Sequence, residues 1–95
     1  MGEPNFEWDP RKATTNLRKH GVSFEEARTV FKDPNFWAQY DPAHLGPESR
    51  LKAVGISIKN RLLAVIFTPR NDAIRIINAR KATAGEEAAY AEGLS

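Results

Sequence analysis

The sequence predicts an α+β fold in which an antiparallel β-meander carries two N-terminal helices and one C-terminal helix packed on the sheet. Helix start and stop signals fill the first third of the chain. From Leu51 onward the pattern changes to three short runs of aliphatic and β-branched residues, separated by polar turns. At 95 residues, with neither internal repeats nor a low-complexity tract, we expect one domain spanning residues 1–95.

The N-terminal part is expected to contain an edge strand and a first helix. Phe6 and Trp8 belong to a short apolar segment that suits a strand at the edge of a sheet. Asp9 followed by proline supplies an N-cap and a residue that favours the first helical position, which predicts a helix over Pro10–His20. Gly21 then provides the left-handed conformation that ends many helices.

A second helix is predicted directly after the first. Ser23 and Glu26 have the spacing of a capping box, in which each side chain bonds the backbone N–H of the other residue. Apolar residues recur at helical spacing up to Phe31, and the Asp33-Pro34 pair blocks further extension. We therefore expect this helix to end near Phe31 and to place its apolar face on the sheet.

The second half of the chain is predicted to form the sheet and a closing helix. Proline and glycine residues within Tyr40–Pro47 indicate a loop, before which Phe36–Tyr40 is expected to add an edge strand. Alanine and glutamate residues favour a last helix over Thr83–Glu92. The three main strands are expected at Leu51–Ile58, Arg61–Thr68 and Ala73–Ala79.

The predicted turns indicate which side chains share a face of the sheet. A two-residue turn at Lys59-Asn60 pairs Ile58 with Arg61. This register places one set of bulky side chains beneath the helices, namely Val54, Ile56, Leu63, Val65, Phe67, Ile74 and Ile76. The opposite face then carries smaller and partly polar side chains, with Arg75 among them, as expected for a shallow groove.

Composition excludes several kinds of chemistry. The chain has no cysteine, which removes disulfides, thiolate ligands and cysteine nucleophiles. His20 and His44 are the only histidines, they lie in unrelated segments, and no acidic cluster accompanies them, so we expect neither a metal nor a cofactor. With no apolar run long enough for a membrane span or a secretory signal, a cytoplasmic location without membrane contact is expected.

The distribution of charge says more than the net charge of +2. Residues 1–40 carry six basic and six acidic side chains, whereas residues 41–81 carry eight basic and three acidic ones. Residues 82–95 carry three acidic side chains and no basic one. The cationic middle suits a polyanionic partner, although an ordinary mixed solvent surface explains it equally well.

The order of motifs along the chain resembles the BrnT family. The N-terminal half contributes Phe6-Glu7-Trp8-Asp9-Pro10, Lys12, Asn16, Lys19-His20-Gly21-Val22, Phe24, Glu26 and Phe31. The C-terminal half contributes Glu48, Arg50, Val54-Gly55, Arg61-Leu62-Leu63, Phe67-Thr68, Ile74–Ala82, Glu86 and Tyr90. The blocks around His20 and Arg80 are specific when they occur together, and the resemblance spans nearly the whole chain.

This resemblance implies a RelE-like ribonuclease fold, a toxin that cuts RNA, and a small antitoxin, BrnA, that blocks the toxin and binds operator DNA. The toxin is then expected to reach operator DNA only through the antitoxin. The chain departs from the family pattern in its last helix, where arginine-rich sequence is replaced by Ala84–Ala89 with two glutamates. Fewer phosphate contacts are expected there.

Metal-free RNA cleavage uses the substrate's own 2′-hydroxyl as nucleophile, so the protein must supply proton transfer and cations. His20 is a candidate catalytic residue because a free imidazole can both donate and accept a proton near neutral pH, or else it caps the end of its helix. Arg75 is a candidate because strand alternation turns it onto the groove face. Both residues are therefore predicted to be catalytic, with a structural role for His20 left open.

Arg50 and Arg80 are two further candidate catalytic residues. In the predicted register they lie toward opposite ends of the meander, unless a bulge near Asn78 brings them together. Each is also well placed for an ordinary ion pair, with Glu48 or Glu86 as the acidic partner. A position of Arg80 at the rim of an antitoxin interface is a further interpretation.

Candidate RNA-binding residues lie on the first helix and at the end of the last strand. Lys12, Asn16 and Lys19 share one helical face and suit a phosphate backbone, or they form a solvent face. Lys81 is a candidate for RNA or for the antitoxin interface. Four aromatic residues are candidates for base stacking, Trp37 the first among them, although most are expected to be structural: Trp8, Trp37, Tyr40 and Tyr90.

Two functions follow from these observations. The first is a metal-independent ribonuclease toxin neutralised by a BrnA-like antitoxin. The second, motivated by the acidic last helix, is a catalytically weak or inactive homologue that binds the antitoxin in control of its own operon. Sequence-specific DNA binding is a third and weaker interpretation, because the two consecutive helices are better explained as cover for the sheet.

Overall fold

The computed structural model describes residues 4–41 and 49–94. The predicted loop over Tyr40–Pro47 therefore lies mostly outside the described residues. In chain order the elements are β1 (Asn5–Glu7), α1 (Pro10–His20), α2 (Phe24–Arg28), a 3₁₀ turn (Thr29–Lys32), β2 (Trp37–Tyr40), β3 (Leu51–Ile56), β4 (Leu62–Arg70), β5 (Ala73–Lys81) and α3 (Ala84–Gly93). The α+β class is confirmed, and every predicted helix and strand is present, although the second helix is α-helical only to Arg28 and continues as the 3₁₀ turn.

The five strands form a mixed sheet in the order β1-β5-β4-β3-β2. The four strands from β2 to β5 are antiparallel neighbours, as the predicted meander requires. β1 is different, because it pairs parallel with β5. A purely antiparallel sheet was therefore a wrong prediction: the chain between β1 and β5 contains α1, α2 and three strands, which is ample for the long crossover that a parallel pair needs.

The caps of the first two helices follow their sequence signals with one difference. The Asp9 carboxylate accepts a hydrogen bond from the backbone N–H of Arg11, and Gly21 ends α1 with φ of 70°. Ser23 caps α2 by accepting from the N–H of Glu26. The second half of the predicted capping box is replaced, because the Glu26 carboxylate bonds Arg61 instead.

Most of the core lies between α1, α2 and one face of the sheet, which we call the helix face. That face carries Leu63, Val65 and Phe67 of β4, and α2 contributes Phe24 and Ala27. The other face, which we call the open face, is covered by α3 over a smaller cluster of Val54, Ala64 and Tyr90. The α3 helix therefore covers only part of the open face.

The register between β3 and β4 differs by one residue from the prediction. Leu62 pairs with Ile56, and Val65 pairs with Ala53. The connecting turn is longer than expected, because the N–H of Ser57 bonds the carbonyl of Arg61. Since a one-residue slip turns a strand over, Val54 faces α3 and not the α1–α2 layer, whereas the predicted face of β4 is correct.

β5 contains a β-bulge next to Asn78, the position at which the sequence analysis considered one. Ile66 of β4 pairs with Asn78, but the next residue, Phe67, pairs with Ile76. Ile77 is therefore the extra residue on β5. After the bulge, Asn78 and Arg80 lie on the open face beside Ile66 and Ala64, which are their β4 partners.

Gly55 is expected to be sensitive to substitution because β3 passes close to the 3₁₀ turn. A Cβ atom at Gly55 would lie 2.8 Å from Cβ of Phe36 and 3.0 Å from Cγ1 of Val30. We expect Gly55→Ala to lower the free energy of unfolding by about 1 to 3 kcal/mol, measured by urea denaturation. Gly93→Ala is the matched control, because a Cβ there meets no atom within 4 Å. Equal stability of the two variants would contradict the close approach.

Candidate active site

A cavity of about 570 Å³ opens where α1 meets the edge of β5, on the side of the open face, and we call it the α1 cavity. From α1 it is lined by Arg11, Lys12, Lys19 and His20. The sheet side contributes Arg50, Asp41, Ile66, Ile77 and Asn78. Basic groups far apart in the sequence thus share one opening, with one carboxylate among them.

Asn16 holds α1 against the sheet and thereby fixes one wall of the α1 cavity. Its Nδ2 donates to the carbonyls of Val22, at 2.9 Å, and Ala79, at 2.8 Å, and its Oδ1 accepts from the N–H of Ala79 at 3.1 Å. The side chain amide therefore occupies the edge of β5 in the way a neighbouring strand would. Because the amide is buried and both of its N–H bonds are used, the structure gives Asn16 a positioning role. Asn16 also lines the α1 cavity, and its RNA-binding role stays a prediction.

The local sequence explains why the basic side chains of α1 face the α1 cavity. Lys12 and Lys19 are exposed and lie on the same helical face as Asn16, which is anchored to β5. His20, which is half-buried, is the last residue of α1. Anchoring one residue of this face therefore orients the cations on either side of it.

Arg50 enters the α1 cavity from the other side. It directly precedes β3, and its carbonyl accepts a hydrogen bond of 2.8 Å from the N–H of Asp41, which directly follows β2. This bond extends the β2–β3 pairing by one step and places Arg50 and Asp41 together at the cavity wall. Glu48, an expected partner of Arg50, lies outside the described residues.

Arg80 lines a smaller cavity of about 210 Å³, which we call the β2 cavity. Its guanidinium forms a bidentate salt bridge with Glu86 of α3, in which Nη1 and Nη2 donate to the two carboxylate oxygens at 2.7 and 3.0 Å. Lys52 of β3 reaches the same carboxylate at 2.8 Å. The Glu86 partner considered from the sequence is thus confirmed, and the bulge in β5 brings Arg80 to a cavity that adjoins the α1 cavity through Asp41 and Ile66.

Burial of the Glu86 carboxylate raises its pKa, but the hydrogen bonds that Arg80 donates to it lower the pKa by more. With further lowering by Lys52 and the backbone N–H of Thr83, the pKa of Glu86 is about 2. The carboxylate is charged at neutral pH. It therefore offsets part of the positive charge of Arg80 and Lys52 at the open face.

The low pKa of Glu86 predicts acid-sensitive stability. The ordinary value is 4.5, so the unfolded chain takes up the proton first, and the stabilisation present above about pH 4.5 is lost as the pH falls toward about 2. For this side chain, which is 8% exposed, the loss is on the order of 2 to 3 kcal/mol. Urea denaturation of Glu86→Gln should show a flatter dependence across that range. Glu87→Gln, at an exposed neighbour, should keep the dependence of the parent protein.

Two predicted site residues lie away from both cavities. Arg75 pairs with Glu7 of β1 at 2.9 Å, and it lines neither the α1 cavity nor the β2 cavity. Lys81 is exposed beside Leu63 at the end of β5, also outside both. The structure thus gives Arg75 an ion pair that joins the parallel strands, and its catalytic role stays a prediction. Lys81 likewise stays a predicted residue for RNA or for the antitoxin interface.

The two aromatic candidates of β2 have different surroundings. Trp37 packs against the open-face cluster of the core, whereas Tyr40 is 61% exposed and pairs with Leu51 of the helix-face core. Base stacking by either residue stays a prediction. Sequence reasoning missed Asp41, Lys52 and Gln39, which line the β2 cavity. A signal for Gln39 and Lys52 was available, because paired edge strands place opposite residues on one face.

Among residues 4–41 and 49–94, no group of three His, Asp or Glu side chains is arranged to hold a metal ion. No helix in the same part of the chain is long and apolar enough to cross a membrane.

Comparison with known proteins identified a family and a similar solved structure. A family model described as the ribonuclease toxin BrnT of type II toxin–antitoxin systems matches residues 8–86. The chain is also similar to the crystal structure of the Brucella abortus ribonuclease toxin BrnT, with 28% sequence identity and a TM-score of 0.62. That match covers 85% of this chain and 99% of the Brucella chain. No curated protein matches the sequence.

Proposed function

Because the chain belongs to the BrnT family of ribonuclease toxins, we propose that it cleaves single-stranded RNA without a metal ion, in the α1 cavity. The observation that carries the proposal is the convergence of four basic side chains on one opening. Lys12, Lys19 and His20 come from α1, and Arg50 comes from the residue before β3. The four antiparallel neighbouring strands, with α1 and α2 on one face and α3 on the other, are compatible with the RelE-like fold expected from the sequence.

The proposed reaction is an internal phosphoryl transfer. The ribose 2′-oxygen attacks the adjacent phosphorus, its proton passes to a base, and the P–O5′ bond breaks as the 5′-oxygen takes a proton from an acid. The products are a 2′,3′-cyclic phosphate and a 5′-hydroxyl. His20 is suited to one of the two proton transfers, and the Asp41 carboxylate is a candidate for the other.

Cations around the phosphate stabilise the charge that develops during this transfer. Arg50 offers a planar guanidinium that can bind two phosphate oxygens, and Lys12 and Lys19 supply point charges along α1. Arg80 stands at the edge of this group, since Glu86 already holds its guanidinium. In this proposal Arg80 has a supporting role beside the phosphate.

The proposal is tested with purified protein, a single-stranded RNA oligonucleotide and an excess of chelator. We expect cleavage to new ends that carry a cyclic phosphate, and an oligonucleotide of the same sequence with 2′-deoxyribose throughout should stay intact. RNA that stays intact in this assay, or a 2′-deoxy substrate that is cut equally well, would overturn the proposed reaction.

We also propose that a BrnA-like antitoxin is the partner of this toxin, because the family acts in type II toxin–antitoxin systems. The antitoxin would occlude the basic opening and would carry any contact with operator DNA. Co-expression with the product of a neighbouring reading frame should yield a stable complex that no longer cuts RNA.

One observation favours the second candidate function, an antitoxin-binding module with little or no catalysis. Glu86 neutralises two cations of the open face, and α3 offers no basic residue in exchange. Expression without the antitoxin separates the two functions. Growth arrest supports the ribonuclease, whereas normal growth combined with retained antitoxin binding supports the module.

A further inference from the structure

We propose that Asn78 contacts the substrate directly: its side-chain amide donates a hydrogen bond to a non-bridging oxygen of the phosphate that is cleaved in the α1 cavity. This inference rests on the proposed ribonuclease function and adds an uncharged donor to its cations. Asn78 lies in β5 and lines the α1 cavity together with Ile66 and Ile77. It is thus a polar side chain between two apolar ones in the wall of the cavity.

The β-bulge in β5 is what turns Asn78 toward the α1 cavity. Ile74 and Ile76 pack on the helix-face core, so strict alternation along β5 would place Asn78 beneath the helices as well. The extra residue, Ile77, shifts this alternation by one position, and Ala79 joins the helix-face core instead. Asn78 therefore lies on the open face. β-bulges are over-represented next to active sites, where they redirect a side chain.

The Asn78 amide has hydrogen-bonding capacity that the fold does not use. An asparagine side chain offers two N–H donors and one acceptor oxygen. Asn16, which lines the same cavity, uses both donors and the oxygen in bonds to the backbone. The half-buried Asn78 side chain makes no hydrogen bond to any residue in the described part of the chain. A ligand in the cavity would supply the partner that this amide lacks.

The charges around Asn78 indicate that this ligand is an anion. Among the described residues that line the α1 cavity, four lysine and arginine side chains stand against one carboxylate, that of Asp41. A lysine ammonium on a flexible stem attracts a phosphate from many directions. An amide on a strand has a more exact position, so its N–H selects one oxygen. We therefore assign attraction of the phosphate to the cations and its orientation to Asn78.

A fixed donor of this kind acts mainly on the transition state. As the ribose 2′-oxygen attacks, negative charge develops at the non-bridging oxygens, and an N–H at hydrogen-bond distance from one of them stabilises that charge. The amide gains and loses no proton, so its role is distinct from the proton transfer proposed for His20. Asn78 should therefore affect the rate of cleavage more than the affinity for RNA.

Two variants of Asn78 test the contact in single-turnover cleavage of single-stranded RNA with chelator present. We expect Asn78→Ala to lower the rate on the order of 10²-fold, as removal of one such donor usually does. Asn78→Asp keeps the shape but repels the phosphate, so it should be at least as slow. Affinity for an uncleavable RNA with 2′-O-methyl groups should change by less than about threefold in Asn78→Ala. Asn35→Ala is the control, because Asn35 is exposed and lines neither cavity.

Sulfur substitution in the RNA identifies the atom that Asn78 contacts. Two RNAs each carry sulfur in place of one of the two non-bridging oxygens at the cleaved linkage. Sulfur is a poor hydrogen-bond acceptor, so at the contacted position it should slow the parent protein. The same sulfur should slow Asn78→Ala by a factor about five times smaller, because the bond is already lost. Sulfur at the other position should affect both proteins equally.

Each outcome separates this inference from the proposed function. If the parent protein cleaves RNA and both Asn78 variants stay within about threefold of its rate, the contact is wrong and the ribonuclease proposal stands. The contact is also wrong if each sulfur isomer slows the variant as much as the parent. Asn78→Asp alone decides the rate test if urea denaturation shows that Asn78→Ala is unfolded. If the parent protein cleaves no RNA, the proposed function fails and the Asn78 contact fails with it.

Discussion

Replacing His20 with alanine is expected to lower the rate of RNA cleavage by about 10²- to 10⁴-fold, which is the usual contribution of one proton-transfer group. His20 is the histidine that lines the α1 cavity within the described part of the chain, and it stands there beside Lys19. The rate is measured in single turnovers at saturating protein, so that weaker binding does not contribute. The free energy of unfolding should change by about 1 kcal/mol or less, because only a charge–helix-end interaction is lost.

Arg18→Ala is the matched control for His20→Ala. Arg18 is in the same last turn of α1 and is also basic, but it is exposed and does not line the α1 cavity. We expect this variant to cleave RNA at close to the parent rate. Parent-like cleavage by His20→Ala would show that His20 only ends the helix, and the proton transfers would then have to be assigned to other groups.

Local signals in the sequence were sufficient to predict the helices and the antiparallel order of the three main strands. The caps at Asp9 and Ser23 are determined by nearby residues, and the structure has both. The register was less predictable because it depends on the length of one turn. Asn60 adopts φ of 59°, so the turn after Ser57 contains one more residue than a simple two-residue hairpin, and β3 turns over as a result.

The candidate site shows the same contrast between local and long-range information. The helical spacing of Lys12 and Lys19 predicted their shared face, and both line the α1 cavity. The catalytic use of Arg75 followed from strand alternation alone, which does not reveal that β1 lies beside it in parallel and offers Glu7. The anchoring of Asn16 was equally hidden, because its partner Ala79 lies 63 residues further along the chain.

Replacing Glu26 with alanine is expected to lower the free energy of unfolding by about 3 kcal/mol, a large part of the stability of a small domain. The Glu26 side chain is 1% exposed, and its carboxylate accepts hydrogen bonds from Arg61 Nε at 2.9 Å and from Ser57 Oγ at 2.7 Å. Arg61 also donates to the carbonyl of Gly21. The network thus joins α2, the β3–β4 turn and the end of α1. The estimate is at the low end of the range for buried pairs because the Arg61 side chain is 29% exposed.

The Arg61 hydrogen bond outweighs burial and lowers the pKa of Glu26, so the ion pair is expected to persist to acidic pH. Urea denaturation at neutral pH measures the loss, and Glu25→Ala, at an exposed neighbour on α2, should change stability by about 0.5 kcal/mol or less. The double variant Glu26→Leu with Arg61→Met tests the cause. If unpaired charge is responsible, the double variant should be more stable than Glu26→Ala, because an apolar pair leaves no uncompensated group. If the double variant loses as much stability as Glu26→Leu and Arg61→Met lose together, the packing at this junction, and not the charge pair, holds the three elements together.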